Sequence, residues 1–171
     1  MPSFAHRTNQ CHGFTLLEML VVLGIIGLLA TFAVPASLSA LARARDAKRK
    51  STIAQIGRFL SAQACYRPDA GTGDYDLGQL FDEVKAKNPA IGQFLSSVPR
   101  DPRGGTDAIT KYRYVTNEDA SKCALYANLE NANEEVTLVT LAAPTPGGGT
   151  GVLASPSPGP NGSNRWFQVS N

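Results

Sequence analysis

The residue types that do chemistry in proteins are unevenly spread over this sequence. Both histidines, His6 and His12, precede a long apolar run, so no imidazole follows it for general-base or metal-ligand work. Gly147-Gly148-Gly149 is glycine-rich, but it lacks the Lys-Ser/Thr and the strand-helix setting of a phosphate-binding loop. An enzymatic reading therefore has no constellation to rest on. Two features remain. One is Glu18, the only charged residue between Phe14 and Val34. The other is the set of cysteines: Cys11 lies before the run, while Cys65 and Cys123 lie after it and are candidates for a bridge. In an oxidising compartment that bridge would close a loop worth roughly 4 kcal/mol by the chain-entropy argument, and the alternative is two unpaired buried thiols.

The element that carries Glu18 sets its problem. A helix over Phe14 to Val34 would be about 31 Å long, matching a hydrocarbon core of about 30 Å. This fits a membrane span better than a cleaved secretory signal, whose apolar core is shorter and lacks a carboxylate. A carboxylate in such surroundings costs a few kcal/mol and needs a partner, and the span offers no Lys, Arg or His. Pro35 follows immediately and predicts a kink or loosening of the helix, because it cannot donate a backbone bond to residue 31. Apolar residues then continue at helical spacing through Leu38 and Leu41 and again through Ile53, Ile56 and Leu60, so one stalk helix is expected to run to about Ala64. The charged stretch from Arg43 to Lys50 has no apolar face and is expected as a solvated turn of that helix beside lipid headgroups.

Beyond Cys65, turn formers end the stalk. Leu77, Leu80, Phe81 and Val84 predict a short amphipathic helix stopped near Asn88-Pro89, and Ile91 to Leu95 is a further apolar patch. Strands are expected at Lys111 to Thr116, Lys122 to Leu129 and Val136 to Ala142. Residues 144–164, rich in Pro and Gly, predict an irregular loop outside the core, and Arg165 to Val169 a last strand at the sheet edge. Charge divides the chain: residues 1–68 hold eight Lys/Arg against two Asp/Glu, and residues 69–171 hold eight against twelve. A basic stalk and an acidic head of this kind could meet between neighbouring copies. The basic run lacks the interleaved aromatics of a nucleic-acid surface, so direct nucleic-acid binding is not expected.

Gly13-Phe14-Thr15-Leu16-Leu17-Glu18, its apolar continuation and Pro35 together resemble the N-terminal signature of type IV prepilins and type II secretion pseudopilins. The resemblance implies a leader, residues 1–13, that stays in the cytoplasm. A prepilin peptidase would cut between Gly13 and Phe14, and Phe14 would then be N-methylated. It implies a head outside the inner membrane, which overrides the excess of Lys/Arg after the span and gives Cys65 and Cys123 an oxidising compartment. Glu18 would attract the Phe14 amine of a neighbouring subunit and set axial register, because either charge left unpaired in low dielectric is penalised. The segment around Pro35 would be an adaptable part of the filament.

The stretch Val98-Pro99-Arg100-Asp101-Pro102 with Tyr112 and Tyr114 is similar to a pattern of major pseudopilin heads. Those heads often bind calcium, for which Asn117, Glu118 and Asp119 are weak candidates here; no other cofactor is expected. The fold implied is α+β and pilin-like: a long helical stalk packed by a small antiparallel sheet. Its divisions are 1–13 leader, 14–34 membrane and filament-core helix, 35–65 amphipathic stalk, 66–143 head, 144–164 loop and 165–171 strand. The expected role is a structural subunit of a type IV pilus-like filament in motility, adhesion or DNA uptake. The alternatives are a pseudopilin in protein secretion and a membrane-anchored binding module. The expected partners are copies of itself or other pilins, the prepilin peptidase, an inner-membrane assembly platform and, before assembly, lipid.

Overall fold

A computed structural model describes residues 13–62, 65–89 and 97–171. The positions before Gly13, expected as a leader and including His6, Cys11 and His12, lie outside the described residues, as do the patch at 91–95 and the expected stalk end at Ala64. Helix α1 spans Leu16–Ala62, with Pro35 inside it. The chain divides into two compact units, Met1–Leu38 and Ser39–Asn171, and α1 contributes to both. In the first unit the helix is apolar and exposed: Leu16, Leu20, Leu23 and Leu28 each have more than half of their surface accessible. It is long and apolar enough to cross a membrane.

The second unit has its own core. Strand β1 (Asp74–Asp76), helix α2 (Leu77–Lys87) and strands β2 (Tyr112–Thr116), β3 (Cys123–Asn128), β4 (Gly151–Ala154) and β5 (Arg165–Ser170) follow α1. The strands form one antiparallel sheet in the order β1-β2-β3-β5-β4. Alternation puts Tyr112, Tyr114, Leu125, Phe167 and Val169 on the inner face, where they pack with Ile53 and Ile56 of α1. The approach is close at Gly57, where a Cβ would lie 2.4 Å from Cγ1 of Val169. Helix α2 starts at Asp76, whose carboxylate accepts the Gly78 N–H at 2.9 Å as an N-cap, and buries Leu77 and Leu80.

Four expectations change. Val136 to Ala142 is not a strand: it is a chain of turns, with the Thr137 and Leu138 N–H groups donating to the Val152 carbonyl beside β4. The edge strand lies instead at Gly151–Ala154, inside the Pro/Gly-rich stretch expected to be a loop outside the core. Val152 and Leu153 there are almost fully buried. Gly151 lets the two segments lie together, since a side chain at that position would collide with Thr137. Strand β5 is accordingly internal, between β3 and β4, not at the edge. The fourth change concerns Arg43 to Lys50. Asp46 and Arg49 are not solvated; their exposures are 2% and 0%.

Candidate assembly site and the helix-to-head clasp

At the start of α1, Thr15 is the residue before the first helical turn and Glu18 closes a reciprocal cap on it. The Glu18 carboxylate accepts the Thr15 N–H at 2.9 Å and the Thr15 hydroxyl at 3.0 Å, while the Glu18 N–H donates to Thr15 Oγ1 at 3.2 Å. The Thr-x-x-Glu spacing is a capping-box signature that reading Glu18 only as an isolated charge misses. Within the subunit the carboxylate thus satisfies polar groups of the helix terminus, and its negative charge sits at the favourable end of the helix dipole. Gly13 and Phe14 lie just outside the helix, exposed, with Phe14 77% accessible. The side chain of Pro35 is outside what the structure describes.

Farther along α1, the inward face carries charge. Arg49 donates to both oxygens of Asp101, at 2.7 and 2.8 Å, in a bidentate pair, and its remaining nitrogen reaches Asp46 and Glu130, each at 2.7 Å. Asp46 in turn accepts the backbone N–H groups of Glu130 and Asn131. Arg45 forms a second fork on Glu130, at 2.8 and 2.6 Å, and Lys50 pairs with Glu134. Asn161 donates to Asp101 at 3.0 Å and to the Asn128 carbonyl, so the loop before β5 is tied in as well. One guanidinium therefore joins the stalk, the Pro-x-Asp-Pro loop and the segment after β3, and Asp101 extends the cluster to the loop before β5.

Such a cluster is tolerated only because nearly every lone pair and proton finds a partner. Burial alone would raise the Asp101 carboxyl, but the Arg49 guanidinium, the Arg103 N–H and the Asn161 amide hold it below the usual carboxylate range. Glu130 is pulled down to about 2, chiefly by its hydrogen bond from Arg45. The signal was present in the sequence. Stepping back from Ile53 by helical intervals reaches Arg49, Asp46 and Arg45, so the charges continue the buried stripe that the apolar residues begin. Part of the complementarity between basic stalk and acidic head is therefore satisfied within one chain.

Cys65 and Cys123 form a disulfide, with Cα atoms 5.8 Å apart, joining the chain just beyond α1 to the first residue of β3. The Asn171 carboxamide closes over it, accepting the Cys123 N–H at 2.9 Å. Asn117, Glu118 and Asp119 occupy the turn between β2 and β3. Asn117 Oδ1 accepts the Lys122 N–H there, and Asp119 Oδ1 accepts from the Ser121 N–H and hydroxyl. Among the described residues no group of three or more His, Cys, Asp or Glu side chains is arranged to hold a metal ion.

A capped, exposed apolar helix that continues into a clasped helix-on-sheet head defines a pilin-like subunit. Residues 8–34 match the family model described as the prokaryotic N-terminal methylation motif. The chain is 32% identical over 124 residues to a type IV major fimbrial protein FimA of Dichelobacter nodosus, a match covering 64% of this chain and 72% of that protein. It is 40% identical over 112 residues to a fimbrial protein of the same organism, covering 57% and 65%. To the type II secretion system core protein G of Vibrio cholerae it is 30% identical over 113 residues, covering 63% and 72%. No solved structure matches it significantly. The chain belongs to the family of type IV pilins and type II secretion pseudopilins.

Proposed function

We infer that this protein is a structural subunit of a type IV pilus-like filament. It is inserted as a precursor, cut by a prepilin peptidase between Gly13 and Phe14, N-methylated on Phe14, and polymerised through α1 with its head outside the cytoplasm. The observation that carries the reading is the exposed apolar surface of α1 from Leu16 to Leu38, with Glu18 in its first turn, while the second unit has a core of its own. Apolar surface on that scale needs lipid first and other subunits later. Cutting at Gly13 creates a new ammonium next to the Thr15–Glu18 cap, and Glu18 then exchanges some hydrogen bonds within its own helix for a charge on a neighbour. Pro35 gives the helix a place to adapt on leaving the bilayer. The role is structural, not enzymatic.

Mass analysis of the mature N-terminus, together with electron microscopy of cells, tests this. A chain beginning at methylated Phe14 and assembled into filaments is expected; an uncut chain without filaments would instead make it a membrane-anchored binding module. The match to the type II secretion core protein G, together with the Asp101 and Tyr112/Tyr114 pattern, favours a second reading as a pseudopilin. Loss of protein secretion without loss of surface filaments, on deleting the gene, would select it.

A further inference from the structure

The sheet has a second face, turned away from α1. Strand register places Asp76, Arg113, Tyr126, Gln168, Trp166 and Leu153 on it. There a groove of about 380 Å³, within the range of small-ligand sites, lies between Asp74, Arg113, Tyr126 and Trp166, with Ile109, Lys111 and Pro160 at its walls. Its floor is aromatic: the Tyr126 and Trp166 rings sit 5.5 Å apart at 59°. Its rim is polar. Arg113 donates to the Asp74 carboxylate at 2.9 Å and to the Asp74 carbonyl at 3.0 Å, and both side chains remain well exposed.

Several local features hold this shape. Lys111 is in the left-handed region, at φ 62°, where a non-glycine residue is strained, and its N–H is pinned to the Asp76 carboxylate at 3.1 Å. Its ammonium donates to the Arg103 carbonyl at 2.8 Å. Gly159 lets the loop carrying Pro160 lie against the indole, since a Cβ there would come within 2.4 Å of the Trp166 ring. The buried Trp166 Nε1–H finds no acceptor among the described residues.

We propose that this groove binds the pyranose ring of a neutral sugar. The two cations Lys111 and Arg113 balance the two carboxylates Asp74 and Asp76, so the site favours neither a phosphate nor a quaternary ammonium ion. The floor calls for a ligand with a flat apolar face, which a pyranose presents through its C–H groups to the tilted rings. The rim calls for a ligand with vicinal donors and acceptors, and adjacent hydroxyls meet the Asp74 carboxylate and the Arg113 guanidinium together. The groove lies opposite the stalk, so it stays accessible in a filament built around α1; that accessibility rests on the filament reading above.

Trp166 is the chain's single tryptophan, so its emission reports the groove directly. The full mature chain, in a zwitterionic detergent without sugar headgroups, is titrated with methyl glycosides of neutral hexoses, with their oligomers, with inorganic phosphate and with tetramethylammonium. A saturable shift of Trp166 emission with at least one neutral sugar is expected, together with an affinity loss of about tenfold or more in Asp74→Ala. That variant removes the exposed Arg113 ion pair together with a contact to Tyr126, and an unchanged melting temperature verifies its fold. Equal affinity for monomer and oligomer identifies a free sugar as the ligand, and tighter oligomer binding identifies a surface glycan. No saturable response to any neutral sugar, a stronger response to phosphate or tetramethylammonium, or an unaltered Asp74→Ala overturns the proposal. Normal filaments alongside a silent groove would remove the sugar site and leave the filament reading intact.

Discussion

Along α1, the turns from Leu16 to Leu38 expose Leu, Ile and Val side chains, whereas the turns around Asp46 and Arg49 seal charged groups against the head. Each arrangement departs from the usual one in which apolar groups are inside and charges outside, and each is stable for a different reason. The buried charges find their partners within the same chain: Asp101 and Glu130 are supplied by segments far away in sequence. The exposed apolar stretch finds none within its own unit, so its stability belongs to a bilayer or a filament. A single helix thus contains one region completed by folding and another completed by assembly.

Substitutions on either side should separate folding from assembly. The largest effect is expected from Glu18→Ala, which should abolish filaments while leaving cleavage and the melting temperature of the head unchanged; normal filament yield would remove Glu18 from the assembly mechanism. Arg49→Ala should do the reverse. It leaves Asp46, Asp101 and Glu130 buried without their shared cation, and breaking such a cluster costs about 3–5 kcal/mol in chemical denaturation of the mature chain. A loss below about 1 kcal/mol would mean that the clasp stabilises the fold no more than an exposed ion pair does.

Removing the Cys65–Cys123 bridge by a double Ser substitution should cost about 2–5 kcal/mol and should leave the N-terminal half of α1 competent for insertion. Gly57→Ala should cost about 1–3 kcal/mol by forcing Val169 away from the stalk. The pH profile should show the smallest effect under physiological conditions. The carboxyls of Asp101 and Glu130 are both depressed in the folded state. Their stabilisation is therefore fully present above the unfolded carboxylate values, near 4. It is lost as pH falls from there toward about 2, the folded value of Glu130. Melting temperature should be flat from neutral pH down to mildly acidic pH and then fall. Arg49→Ala should shrink that acid-dependent loss, whereas Glu18→Ala should leave it unchanged.

How much the sequence disclosed varied with how local the cause was. The motif from Gly13 to Glu18, the uncharged run beside it, helix α2 and strands β2 and β3 were legible because each is written in consecutive or periodically spaced residues. The candidate bridge between Cys65 and Cys123 could be named but not chosen over free thiols until the fold brought the Cα atoms to 5.8 Å. Val136 to Ala142 has strand composition but is held in turns, with its Thr137 and Leu138 N–H groups on the Val152 carbonyl and Gly151 leaving room for Thr137. Local propensity yields there to packing.

By itself, then, the sequence determined that this is a membrane-length helix with a defined processing motif and an α+β head, since length, spacing and residue type suffice for those. Only the tertiary structure decided that Arg49 is a buried hub, that the Pro/Gly-rich stretch supplies an edge strand, and that Tyr126 and Trp166 meet in a groove. A charge is sheltered or solvated according to whether partners arrive from elsewhere in the chain. Asp101 lies 52 residues from Arg49, and no local pattern carries that information.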